Sequence, residues 1–168
     1  MSDLISRILR QPEYIHVLIN PLPIYGLAMG LVGLIVALFL RSRPAQITTL
    51  AIILISAASA WPVYEFGEQG YDRVLSMTDD DGHGWLDEHQ RRAESLIIFF
   101  YALAIVSAAA IALPMKWPKS SVPLVLATFL LSAVVLGMGA YIANAGGKIR
   151  HREFRSEAPP KKIETIKR

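Results

Sequence analysis

The chain reads as an all-α integral membrane four-helix bundle. Two antiparallel helical hairpins are joined by a polar helical segment, with an N-terminal interfacial helix ahead of them. Three observations predict this. The apolar content, 53% of 168 residues, is gathered in blocks rather than spread. Four stretches contain no Asp, Glu, Lys or Arg at all: 14–40, 44–64, 95–115 and 120–147. Each is long enough to cross a hydrocarbon core of about 30 Å, which takes roughly 20 residues at 1.5 Å per residue. In lipid every backbone amide has to bond within its own segment, so each stretch is read as a helix. The connections within each pair are short and basic, and such turns force antiparallel neighbours.

Residues 1–13 place Leu4, Ile5, Ile8 and Leu9 on one helical face, with Arg7 and Arg10 elsewhere. This predicts a short amphipathic helix lying in the membrane interface. The following apolar run is too long for a cleaved signal peptide. A four-span membrane domain is expected over 14–155. Its first span, about 21–40, opens at Asn20-Pro21-Leu22-Pro23, where a missing proline N–H costs little. Gly26 and Gly30 form a GxxxG with Gly33 one turn on, so this face is expected to meet another helix closely. The turn Arg41–Pro44 leads into the second span, about 46–64, whose small run Ser56–Ala60 is followed by the interfacial aromatics Trp61 and Tyr64.

The extramembrane segment 65–94 holds nine of the fourteen acids. Residues 65–77 and 85–94 are helix-compatible, the second running on into span three, and 78–84 is expected to be the loop between them. Glu88 and Arg92 are spaced to pair on one helical face. The third span, about 95–114, carries the small run Ser107–Ala110. After the turn Lys116–Lys119 comes the fourth span, about 122–144, with Ala133, Gly137 and Gly139 as small positions and Gly137 as its expected packing position. Residues 156–168 form a charged tail with Pro159-Pro160, expected to be mobile.

An even number of spans puts both termini and segment 65–94 on one side of the membrane. That side holds every acid and all four histidines, His16, His83, His89 and His151. It also carries more Lys and Arg near span ends than the turns with Arg41, Arg43, Lys116 and Lys119, so the positive-inside rule favours a cytoplasmic histidine side in a bacterial inner membrane. The basic pI of 9.3 is explained by residues flanking spans, not by nucleic acid. With no cysteine there is no disulfide framework or thiolate metal site. No span interior carries an ionisable side chain, which argues against a pump or an ion-coupled transporter. No nucleophile elbow is present, which argues against a serine hydrolase.

Two ligand chemistries are compatible with the polar side. Counting from Asp79, the loop gives Asp79 and Asp81 at the first and third positions of an EF-hand-like loop and Asp87 at the ninth. It departs at His83 and at Gln90, where the bidentate glutamate belongs. The alternative is that Asp79–Asp81 caps the following helix. Independently, His89 at the mouth of the third span, with His151, His16 or Glu65, offers imidazole ligands for haem b or a metal ion.

Asn20-Pro21-Leu22 at the first span, Asp87-Glu88-His89 followed by Arg92-Ala93 at the third, and Gly146-Gly147-Lys148-Ile149 at the fourth together resemble a family of uncharacterised bacterial four-helix membrane proteins. That family shows His-Pro-Leu and a second histidine in its first span, Glu-x-His at the third, and Gly-Gly plus a histidine after the fourth. The resemblance covers roughly 14–155. It implies a four-span bacterial envelope protein, in some relatives attached to periplasmic redox domains. Asn20 and Tyr25 stand where the family has histidines, and His151 lies nearer the glycine pair, so His89 alone carries over. The leading expectation is a small non-enzymatic membrane subunit that anchors or assists a larger, respiratory, assembly or homo-oligomer in the lipid bilayer. The alternative expectation is a haem b or metal-binding electron-transfer protein with its site at the histidine-bearing end.

Overall fold

A computed structural model describes residues 9–160. They are all-helical, with no strand among them. Helix α1 (Pro12–Ile19) passes through a π turn (Leu22–Gly26) into α2 (Leu27–Phe39). Next come α3 (Arg43–Ala58), α4 (Ala60–Leu75), α5 (Asp80–Lys116) and, after a 3₁₀ turn at Pro118–Ser120, α6 (Ser121–Arg150). A last 3₁₀ turn spans Arg152–Phe154. These pieces make four rods, Pro12–Phe39, Arg43–Leu75, Asp80–Lys116 and Pro118–Arg150, each long and apolar enough to cross a membrane. Each rod packs on the next in chain order, and the fourth closes on the first, so rods one and three face each other diagonally. The expected helix over 1–13 falls largely outside the described residues, as does 161–168 of the tail.

Proline explains where the rods deviate from straight α-helix. Pro21 and Pro23 cannot donate to the carbonyls four residues back, and there the ladder slips into a π turn. Pro62 likewise leaves the Ala58 carbonyl without its helical donor, next to Ser59, the joint between α3 and α4, where Ser59 Oγ donates to the Ser56 carbonyl at 2.7 Å. Pro114 lies inside α5 and leaves the Ala110 carbonyl without its helical donor. Arg43, from the facing rod, fills that position with Nη2 at 2.9 Å. Trp117, extended before Pro118, ends α5.

The close-packed seam between rods one and two follows the glycines. A Cβ at Gly26 would run into Ser56, one at Gly30 would meet Ile53 Cγ1 at 2.6 Å, and one at Gly33 would meet Thr49 Cγ2 at 2.7 Å. Gly30→Leu is therefore expected to lower stability in detergent by about 1–3 kcal/mol through overpacking. The half-buried Leu31→Ala should cost less, and equal thermal unfolding of the two variants would show the seam to be loose. Gly137 is a correction: a Cβ there would meet nothing within 4 Å, and Gly139 takes the inward position beside Ile24 and Phe100.

The segment 65–94 also differs from the expectation. Its second helix runs on into the third span as expected, but the seven-residue loop at 78–84 is replaced by a shorter one. Rods two and three simply continue as helix past their apolar stretches and meet at a turn that reaches only from Ser76 to Asp79. Apolar content marks where a membrane could end, but helical hydrogen bonding continues wherever the chain finds packing. Here it does: Tyr71, Val74 and Leu75 pack against a small core of Trp85, Leu86, Ala145 and Ile149. The main core, with Leu27, Leu34, Leu50, Ile53, Leu103 and Val135, fills the other part of the bundle.

Candidate functional site: a histidine pair between two cores

Between these two cores the bundle is not filled. A cavity of about 690 Å³ opens beside the small core, and a smaller apolar space of about 70 Å³ adjoins the main core. His16, Asn20, Tyr64, His89, Ala93 and Ala143 line both, so they form the waist between two chambers. The larger volume lies within the roughly 300–1,000 Å³ of ordinary ligand sites.

His16 comes from rod one and His89 from rod three, the two diagonal partners. Their ring centres are 6.2 Å apart and the ring planes stand at 87°. Each imidazole is held by the rod beside it. His16 Nδ1 donates to the Val63 carbonyl at 2.8 Å, and His89 Nδ1 donates to the Ile142 carbonyl at 2.9 Å. A carbonyl only accepts, so each Nδ1 bears the proton and each Nε2 keeps an in-plane lone pair. Neither Nε2 has a hydrogen-bond partner among the described residues.

The seats for the two rings are built alike. A Cβ on Gly67 would meet His16 Nδ1 at 2.9 Å, and one on Gly146 would meet His89 Nδ1 and Cε1 at 3.1 Å. Gly67 is one turn after Val63, and Gly146 is one turn after Ile142. Each ring thus lies over a glycine and bonds the carbonyl one turn earlier, a contact that any side chain at the glycine would block. From His89 to Lys116 the helix rises about 40 Å. That exceeds the hydrocarbon thickness by enough to put the pair at headgroup level if the rods span a bilayer.

Around the site, charges are paired. Glu88 and Arg92 are both buried and bond at 2.7 Å, with Arg92 Nη1 also donating to the Tyr141 carbonyl at 2.7 Å. The Tyr71 hydroxyl donates to Asp87. Lys148 Nζ lies 4.0 Å from the centre of the Trp85 ring and 3.1 Å from Glu157. Sequence reasoning missed most of this. Val63, Ile142 and Gly67 act through backbone or by absence of a side chain, which no motif advertises.

The predicted site residues separate into two groups. His16 and His89 are brought together. His151 lies at the rim of the large chamber, bonds Glu153 through Nδ1 at 3.0 Å and stacks on Phe154. Glu65 lines neither chamber. Asp79, Asp81, His83 and Asp87 form no ligand cluster. Among the described residues no group of three or more His, Asp or Glu could hold a metal ion. Helix α5 already begins at Asp80, so the EF-hand-like loop is wound into helix. Asp79 is its N-cap, with Oδ1 accepting from Gly82 N at 2.8 Å.

Asp79 also ties down the chain after α6. Arg155 Nη1 reaches it at 2.9 Å and Arg152 Nε at 2.8 Å, while Arg155 caps the Lys148 and Ile149 carbonyls. The Arg155 guanidinium, then the Gly82 N–H, hold the Asp79 carboxyl well below the usual carboxylate range. A carboxyl whose folded pKa is depressed stabilises above its unfolded value, about 3.9, and loses that contribution as pH falls toward the folded value. The stability difference between wild type and Asp79→Asn should therefore be constant above about pH 4 and shrink below it, which a pH series of unfolding curves would read.

No protein-family model, curated protein or solved structure matches the chain, and the resemblance drawn from its short motifs therefore adds nothing to what the geometry says.

Proposed function

We propose that this chain is an integral membrane b-type haem protein that carries single electrons, with His16 and His89 as the two axial ligands. The carrying observation is the spacing of the imidazole pair, each ring tethered through Nδ1 with Nε2 left unbonded. Two imidazoles on opposite sides of one metal, each bonded at about 2 Å, have ring centres about 6 Å apart once the ring radii are added. The observed spacing is 6.2 Å. Nδ1–H donation to a carbonyl is the usual way a protein orients a histidine ligand and fixes its tautomer. Each Nε2 keeps a lone pair without a protein donor, and a Lewis acid between the rings would satisfy both. A bare ion would need further protein ligands, whereas haem brings four nitrogens of its own.

Haem iron supplies reversible one-electron chemistry between its ferric and ferrous states. Two histidine ligands leave no open position for oxygen, which favours electron transfer over oxygen activation. The two glycine seats and two carbonyls hold both ligands in place, keeping reorganisation on electron transfer small.

The bilayer reading rests on the rods' length and on the apolar side chains they leave outside, such as Ile105, Val122 and Met115, which are 70%, 76% and 86% exposed. On this reading the membrane is a bacterial inner membrane, the chain crosses it four times, and the haem lies at the side holding both termini, cytoplasmic by the Lys and Arg count. A larger redox assembly would dock at that end.

The test is the absorption and electron paramagnetic resonance of the full chain, purified in detergent from cells supplied with iron and haem precursor. The expected result is one haem per chain, a six-coordinate low-spin spectrum with sharp reduced bands, and the strongly anisotropic ferric signal of nearly perpendicular axial imidazoles. A colourless preparation would end the haem reading and leave a membrane scaffold subunit.

A further inference from the structure

We infer that the haem is seated with its propionate edge in the larger chamber, and that Arg150 holds a propionate there. The inference rests on the bis-histidine reading and concerns which way the macrocycle points. Haem is amphipathic, with methyl and vinyl groups along one edge and two carboxylates on the other. The two chambers differ in the same sense. The smaller one is walled by Ile24, Ile97, Phe100 and Ile142, and its polar groups lie at the waist. A carboxylate pushed into it would lose its hydration and find no cation. The larger chamber opens toward the polar end and is lined by Glu13, Tyr14, Glu68, Gln90, Arg150 and His151 among others.

Arg150 is the only Lys or Arg among the described residues lining that chamber, and its guanidinium makes no hydrogen bond or ion pair with them. The neighbouring polar groups are already engaged. Glu13 is paired with Arg73 at 2.7 Å, Gln90 Nε2 donates to Glu68 at 2.6 Å, and His151 Nδ1 bonds Glu153. Position along α6 points the same way. Ile142, which anchors His89, Gly146, which seats its ring, and Arg150 follow at one-turn intervals and share a helical face. The face that positions the ligand therefore ends in a planar cation with no partner among the described residues, at the place where the polar edge of a macrocycle bound to His89 would emerge. Guanidinium matches carboxylate geometry with two parallel hydrogen bonds.

The test compares the full chain, stripped of haem and reconstituted with haem or with its dimethyl ester, whose carboxylates are blocked. Wild type should prefer haem over the ester, and Arg150→Ala should lose about tenfold of that preference while keeping the low-spin spectrum with both. Arg150→Lys should restore part of it. The midpoint potential of Arg150→Ala should also fall, by up to about 59 mV for a tenfold effect on a one-electron couple, because losing a cation favours the ferric form. A merely structural role for Arg150 would lower both affinities equally, and an unchanged haem-to-ester ratio would overturn the assignment. Should Arg150→Ala fail to fold, Arg150→Gln makes the same comparison with nearly the same side-chain volume. Wild type that binds neither compound would instead overturn the bis-histidine reading, and this inference with it.

Discussion

His16→Ala and His89→Ala are each expected to lose the six-coordinate haem spectrum, with haem content falling to background or to a weakly held high-spin remainder. The two ligands come from rods on opposite corners of the bundle, so neither variant leaves a second histidine within reach. His151 is held at the rim by Glu153 and Phe154. His83→Ala and His151→Ala should leave the spectrum unchanged, which separates axial ligation from a general loss of histidine. A graded effect is expected from the seats. Gly67→Ala would place a Cβ 2.9 Å from His16 Nδ1 and displace the ring from the Val63 carbonyl. Disturbing the group that orients a ligand usually costs about 10–100-fold in affinity. Haem titration of the five variants reads all of this. Full haem retention in both His16→Ala and His89→Ala would mean the pair is structural.

Glu88→Ala should be the most destabilising of the charge substitutions. It strands Arg92, whose side chain is 9% exposed and which depends on Glu88 for its charge partner. Removing one member of a buried pair costs about 3–5 kcal/mol, since the other charge stays desolvated. Arg92 also donates to the Tyr141 carbonyl and lies 3.7 Å from the centre of the Tyr141 ring. It thereby fixes α6 next to Ile142, the anchor of His89, so Glu88→Ala should weaken haem retention as well as stability. The double variant Glu88→Met/Arg92→Met should recover most of the stability, because apolar groups of similar volume replace a buried pair at little cost. If that double variant is as unstable as Glu88→Ala in denaturant titrations, the loss lies in packing rather than in an unpaired charge.

Some of this was legible without coordinates. Blocks of uncharged residues as long as 14–40 and 120–147 dictate helices, because backbone groups away from water have to bond within their own segment. The short turns at Arg41–Pro44 and Lys116–Lys119 dictate antiparallel neighbours. The spacing of Gly26, Gly30 and Gly33 announced a close seam, and that of Glu88 and Arg92 a pair, because both depend only on the helical repeat. His89 stood out by its place at a span mouth.

Tertiary structure decided the rest. Nothing local links His16 to His89, since they lie on rods that are not neighbours in the chain. Only the closing of rod four onto rod one brings their rings to 6.2 Å across the bundle. Their orientation comes from the carbonyls of Val63 and Ile142 and from bare Cα positions at Gly67 and Gly146, and of these only Gly146 belonged to a motif the sequence singled out. Segment 65–94 continues as helix because Tyr71, Val74 and Leu75 find Trp85, Leu86 and Ile149 to pack on, a contact that exists only between rods. Periodicity determines what a segment becomes by itself. Which side chains meet is set by how the segments close on one another, and the candidate site is made entirely of such meetings.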